Sequence, residues 1–255
     1  MQKPDRNFDD IAAKFGRNIY DTTKGKIRQQ VLLRDLGQLA VLQQPCHILD
    51  VGAGQGQIAL HLAAQGHSVL LTDISSEMLA TAKQAADTLN LTTVDFQQIS
   101  LSELVQQQQQ KAQYKLILCH AMLEWLAEPE QAIAQLKQLL APGGILSLMF
   151  YNIDAKRLSN IIYGNFAYVA ADMQVKKKVR LSPQNPLQPN AVLSWCQAAG
   201  LTLIAKTGVR CFHDYLRNLE QQQTEFEQLL ALELAYNRIE PYASLGRYQH
   251  LLLQG

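Results

Sequence analysis

Two aspartates each close a short apolar run: Asp50 follows His47-Ile48-Leu49, and Asp73 follows Val69-Leu70-Leu71-Thr72. Three glycines at alternate positions, Gly52, Gly54 and Gly56, come directly after the first run. Glycines let a backbone turn tightly and approach a ligand where a Cβ would collide. The helical pattern starting at Gln57 would then aim its unpaired N–H groups at an anionic group. An acid ending the second run, about 20 residues past the glycines, suits a two-oxygen grip on ribose hydroxyls. The chemistry these residues suggest is the binding of a nucleoside-containing cofactor.

The spacing distinguishes between cofactors. A dinucleotide fingerprint reads G-x-G-x-x-G, whereas here Asp50 precedes Gly52-x-Gly54-x-Gly56. That order resembles the first motif of class I S-adenosylmethionine (SAM) methyltransferases, in which the helix start faces a methionine carboxylate. Asp73, and the Pro142-Gly143-Gly144 turn ahead of a fifth apolar run, strengthen the match. Asp50 either orders the loop or meets the methionine amino group through water. His120 ends the run Lys115–Cys119, where doubly wound sheets place ligand groups; it is a ligand contact or a packing residue. Met122 and Trp125 read as core or cofactor-pocket lining.

Beyond the fifth run lies Val175-Lys176-Lys177-Lys178-Val179-Arg180. Consecutive lysines cannot share one helix face, so in an extended segment Lys176, Lys177, Lys178 and Arg180 would reach backbone phosphates. Such contacts supply affinity and salt dependence, not sequence choice. Tyr163, Phe166 and Tyr168 lie upstream and could stack an exposed base; the alternative is a solvated loop. Arg210, His213 and Tyr215 follow another apolar run, where Arg210 offers a planar fork to a carboxylate or pairs with Asp214.

Elements to carry these residues are legible. Helical spacing runs through 8–42, with a break over Tyr20–Gly25. Strands are expected at about 47–52, 68–72, 93–97, 115–119, 145–151, 201–207 and 247–253. Helices are expected over 57–65, from Ser75 as N-cap, over 129–140, over 191–199, and as one long polar segment over 214–240. Strands alternating with helices predict an α/β, doubly wound Rossmann-like sheet, mostly parallel with an antiparallel last strand. The chain reads as a single domain over 1–255, with an N-terminal helical cap over 1–42 and a basic insertion over 152–190 covering the ligand cleft. The glutamines at 106–110 read as a solvated helix tail or loop.

With 255 residues, 47% hydrophobic and 18% charged, a packed core is expected and global disorder is not. The net charge of +1 hides an asymmetry: residues 31–150 carry −5, whereas 1–30 carry +3 and 151–219 carry +6. Basic clusters flanking an acidic cofactor half suit a polyanionic partner, or are ordinary surface lysine. Cys46, Cys119, Cys196 and Cys211 show neither metal spacing nor a disulfide framework. No metal, no membrane span and a cytoplasmic location are therefore the expectations.

Further segments, Tyr20…Lys24-Gly25…Arg28, His120-Ala121-Met122-Leu123-Glu124-Trp125, Leu146–Asn152, the lysine run and Gly208–Arg217, make the chain similar over almost its whole length to bacterial tRNA 5-carboxymethoxyuridine methyltransferases. The resemblance implies methyl transfer from SAM to the carboxylate of 5-carboxymethoxyuridine at the tRNA wobble position, forming the ester, with the anticodon loop as partner. It implies cofactor contacts by Arg28, Gly52, Ala53, Asp73, Leu101, Ser102 and His120. Asp50, Gly54 and Gly56 join them from the loop. Tyr20, Lys24, Tyr151, the lysine run with Arg180, and Arg210, His213 and Tyr215 are then substrate candidates. Ala53 stands where relatives carry glycine, which is tolerable at negative φ. A carboxylate is ionised at neutral pH, so no general base is required. A small-molecule or protein carboxyl/O-methyltransferase, a SAM- and RNA-binding module without turnover, and a carboxymethyl transferase using a modified cofactor are the other readings.

Overall fold

The computed structural model describes residues 22–108, 113–173 and 185–255. Helix α1 (Thr23–Leu36) starts at Thr22, whose hydroxyl caps the Gly25 amide. It buries Ile27 and Val31 completely, and burying such a side chain stabilises by roughly 1.5–3 kcal/mol. The break expected over Tyr20–Gly25 therefore does not include Thr23–Gly25, which form the first helical turn.

The core alternates as the periodicity predicts: β1 (His47–Val51), α2 (Gln57–Ala64), β2 (Ser68–Asp73), α3 (Ser76–Thr88), β3 (Val94–Gln98), α4 (Leu101–Gln107), β4 (Tyr114–His120), α5 (Pro129–Leu139) and β5 (Leu140–Tyr151). The seven strands lie in the order β3-β2-β1-β4-β5-β7-β6. The first five are parallel, and β7 (Tyr248–Gln254) runs antiparallel between β5 and β6 (Thr202–Val209). β1 has four buried residues in five because helices cover both faces of a parallel sheet. Leu49, Ile117 and Leu146 pack under α5, while Ile48, Leu116 and Ile145 pack under α1 and α2.

Three expectations change. β5 begins five residues before Ile145: Leu140 pairs with Tyr114, and a register shift precedes Ile145. Pro142-Gly143-Gly144 is thus an irregularity inside the strand, where a Cβ on Gly144 would lie 2.9 Å from the Tyr114 carbonyl oxygen. The long polar helix over 214–240 is three pieces: a 3-10 turn at His213–Tyr215, then, after α6 (Ile153–Ile162), α7 (Phe166–Ala170) and α8 (Pro189–Ala198) earlier in the chain, α9 (Gln221–Thr224) and α10 (Phe226–Tyr236). α10 is not a solvated helix, because Leu229 and Glu233 are buried. The Glu233 carboxylate accepts from the backbone amides of Cys211, Phe212 and His213 at 2.7–3.0 Å, clamping the segment after β6.

In the described part of the 152–190 insertion, α6 packs beside the segments that follow β6 and lead into β7. Tyr215 donates to the Ala155 carbonyl at 3.3 Å and Arg247 to Ser159 Oγ at 2.7 Å. A short helix, α11 (Tyr242–Leu245), leads into β7.

Candidate active site

The chain after β1 turns through three left-handed glycines, Gly52, Gly54 and Gly56, with φ of +64°, +56° and +67°. Ala53 between them is not left-handed, so the alanine is unstrained. A Cβ on Gly52 would lie 2.7 Å from Met122 Sδ, and one on Gly56 2.2 Å from Leu71 Cδ2. Gly52 thus lets the β4 loop close over the turn, whereas Gly56 lets α2 sit on β2. Asp73 orders the loop from the neighbouring strand. Its two oxygens accept from the Gly54 and Ser75 amides, each at 2.8 Å.

These elements wall a cavity of about 320 Å³ at the C-terminal edge of β1, β2 and β4, where open α/β sheets bind ligands. Arg28 from α1, Asp50, Gly52, Ala53, Gly54, Asp73, Leu101, Ser102 and His120 all line it. Gly56 does not, because its role is the packing just described. Leu101 and Ser102 reach the cavity at the start of α4, fixed by a capping box between Ser100 and Glu103. Ile74, Met78, Met122, Trp125 and Leu126 supply apolar walls, and Glu128 adds another acid to the rim.

Asp50 is nearly inaccessible (5% exposed). Burial, and then the charge of Asp73, push its carboxyl well above the usual range. Burial pushes His120 well below the usual imidazole value, so its ring is neutral. The cavity is therefore acidic, with one arginine and a neutral imidazole. It is suited to a ligand that carries cationic groups and one anionic group.

Comparison with known proteins agrees with this geometry. Residues 49–148 match the family model described as a methyltransferase domain. The tRNA 5-carboxymethoxyuridine methyltransferase of Escherichia coli is 47% identical over 97% of this chain and 95% of its own length. The chain belongs to that family. A ubiquinone biosynthesis O-methyltransferase of Pasteurella multocida is 32% identical over 63% of the chain and 67% of its own length. Among solved structures, magnesium protoporphyrin IX methyltransferase from Synechocystis, with bound SAH, superimposes with a TM-score of 0.63 at 16% identity. That match covers 97% of this chain and 95% of the other and shows the shared class I methyltransferase fold.

The protein is accordingly a SAM-dependent methyltransferase, and its residues fit that cofactor. The Gly52 turn leaves a surface that a side chain would fill. Asp73 lines the cavity at the end of β2, where ribose hydroxyls would meet it, and an ammonium beside Asp50 would relieve a carboxyl strained by burial and a neighbouring acid. Among the described residues, Arg28 is the one Lys or Arg lining the cavity, and it would pair with the methionine carboxylate.

The substrate candidates fare unevenly. Tyr20, Lys176, Lys177, Lys178 and Arg180 lie outside the described residues. Lys24 is exposed on the first turn of α1. His213 is fully buried: Nδ1 meets Asp214 Oδ1 and Nε2 meets Thr23 Oγ1, both at 2.9 Å. Tyr215 donates to the Ala155 and Leu245 carbonyls. Both residues are spent on joining segments, because a buried ring or phenol needs its polar atoms paired. Arg210 pairs with Asp214, which was one of its two readings, and sits 5.8 Å from the Tyr248 ring centre.

Two residues at this end carried no sequence signal. Arg247 lies 5.2 Å from the Tyr151 ring centre and 3.6 Å from Asp214, so two guanidinium groups share one carboxylate beside the paired rings of Tyr151 and Tyr248. Glu124 is fully buried with neither carboxyl oxygen in a hydrogen bond. Burial pushes it up to about 7, against the charge of Arg28. Glu124 thus lies between the electrostatic reach of cavity-lining Arg28 and that of Tyr151 and Tyr248.

Proposed function

We propose that this chain methylates the carboxylate of 5-carboxymethoxyuridine at the wobble position of tRNA, giving the methyl ester. The observation that carries the proposal is the 47% identity, over nearly the full length of both chains, with the Escherichia coli enzyme of that name. The geometry adds support. When bound, SAM supplies an electrophilic sulfonium methyl and is left as a thioether. An ionised carboxylate brings its own nucleophilic lone pair, so no proton has to move. The residues' task is orientation and charge. Arg210 and Arg247 against the single charge of Asp214 leave one net positive charge beside Tyr151, enough to attract the substrate acid without neutralising its attacking oxygen. His120, the one imidazole lining the cavity, has Nε2 engaged by Ser147 at 2.8 Å, consistent with a reaction needing no base.

The anticodon loop would meet the face carrying α6 and α7. Tyr163 and Phe166 are 58% and 66% exposed there, Lys156 lies over the Tyr168 ring, and the lysine run follows in sequence. Exposed aromatics beside basic residues suit stacked bases and phosphates. The test compares acceptors. tRNA carrying the free 5-carboxymethoxy acid should take label from SAM, and tRNA from cells that cannot make that acid should not. Equal labelling of both would overturn the proposal. Labelling of small carboxylates or phenols in place of tRNA would favour a small-molecule methyltransferase.

A further inference from the structure

A continuous buried chain of hydrogen bonds crosses the sheet behind the cavity. His120 Nε2 meets Ser147 Oγ, Ser147 Oγ meets His250 Nε2, and His250 Nδ1 meets Asp35 Oδ2, each at 2.8 Å. Ser147, His250 and Asp35 are wholly inaccessible. The register explains the alignment: Met149 of β5 stands between His120 of β4 and His250 of β7. Ser147, two residues earlier, shares that face. Asp35 comes from α1, two turns beyond cavity-lining Arg28.

The direction of the protons can be worked out. A carboxylate only accepts, so the proton between Asp35 and His250 sits on His250 Nδ1. Asp35 already meets Arg34 and Arg238, both at 2.7 Å. A third cation there would leave an uncompensated buried charge, so a neutral His250 completes the set. Its Nε2 then accepts the only proton Ser147 has, and Ser147 Oγ must accept from His120 Nε2. We propose that Ser147, His250 and Asp35 are positioning residues that fix His120 with its proton on Nε2, so that Nδ1 faces the cavity as an acceptor for a hydrogen-bond donor of the bound cofactor. This rests on the cofactor reading of the cavity and not on the identity of the RNA.

Nitrogen-15 histidine NMR of the ligand-free protein, assigned against His120→Gln, reads the ring directly. The expected result is a bare Nδ1 and a protonated Nε2 on His120 at neutral pH. In Ser147→Ala the ring should become a mixture of tautomers and the S-adenosylhomocysteine Kd should weaken about five- to tenfold. Ser147→Thr, which keeps a hydroxyl, should restore most of both. A protonated Nδ1 in the wild type would overturn the proposal, and that measurement stands even where Ser147→Ala does not fold. An unchanged tautomer and unchanged affinity in folded Ser147→Ala would overturn it equally, because a merely structural serine affects melting temperature alone. If 5′-methylthioadenosine, which lacks the amino acid, shares the loss, the donor is on the nucleoside; a loss confined to S-adenosylhomocysteine puts it at the ammonium.

Discussion

At the scale of single residues, Glu124 and Asp73 make opposite uses of a carboxyl. Burial raises Glu124 from the usual 4.5 to about 7, so the folded protein holds a proton that the unfolded chain releases. Its contribution is therefore complete below about pH 4.5 and is lost as the pH rises through about 7. Over that window the loss amounts to about 3 kcal/mol. Glu124→Gln, which cannot ionise, should melt higher than the wild type above pH 7 and converge with it in acid; melting temperatures that differ equally at all pH values would contradict this. Asp73 works as an acceptor through both oxygens, and an amide nitrogen cannot accept, so Asp73→Asn should weaken SAM binding at least about tenfold by calorimetry. Asp73 was legible in the sequence because an acid ending a strand has few roles. Glu124 was not, since its isolation depends on which rings and strands surround it.

Individual elements show where packing overrides pattern. Gly56 and Gly143 have nearly the same left-handed φ, +67° and +68°, but only Gly56 faces a neighbour, Leu71 Cδ2 at 2.2 Å from the added Cβ. Gly143→Ala should cost about 1 kcal/mol from backbone strain alone. Gly56→Ala adds overpacking and should cost about 2–4 kcal/mol in urea unfolding; equal losses would contradict the distinction. β1, β2 and β4 were legible because burial on both faces writes a continuous apolar run. The early start of β5 was not, because Pro142-Gly143-Gly144 carries turn chemistry while Leu140 pairs with Tyr114 across an irregularity. α10 was read as part of one long polar helix because the glutamates in Phe226–Tyr236 conceal the burial of Leu229 and Glu233. His250 and Ser147 lay inside apolar strands, and a lone polar residue in such a run is the one cue that could have flagged the buried relay.

Over the whole molecule, charge separates the cofactor half from its flanks: −5 over residues 31–150 against +6 over 151–219. A cationic cofactor is drawn to the acidic half and a polyanion to the flank. This division predicts that raising salt lowers kcat/KM for tRNA steeply while hardly affecting the SAM Kd. Neutralising Lys176–Lys178 to alanine should flatten the salt slope of kcat/KM by about two to three units on a log–log plot. A slope unchanged by the substitution would place the RNA elsewhere. The overall fold and the cavity-lining Asp50, Gly52, Ala53, Gly54, Asp73 and His120 could be read from sequence because each sits beside a glycine turn or a strand end, whereas Arg28, Leu101 and Ser102, which lie on helices, came only from the family resemblance. Arg210 pairing with Asp214 was one of two sequence readings, but the place of Arg247 beside them could not be read, because the cluster forms only when β6, β7 and α6 meet. The central claim, methyl ester formation on the tRNA acid, is tested most directly by the nucleosides of tRNA incubated with the protein and methyl-labelled SAM. The account predicts label in 5-carboxymethoxyuridine methyl ester, released by mild alkali as methanol. Label that survives alkali on a base or ribose, or no label in tRNA despite SAM binding, would contradict it.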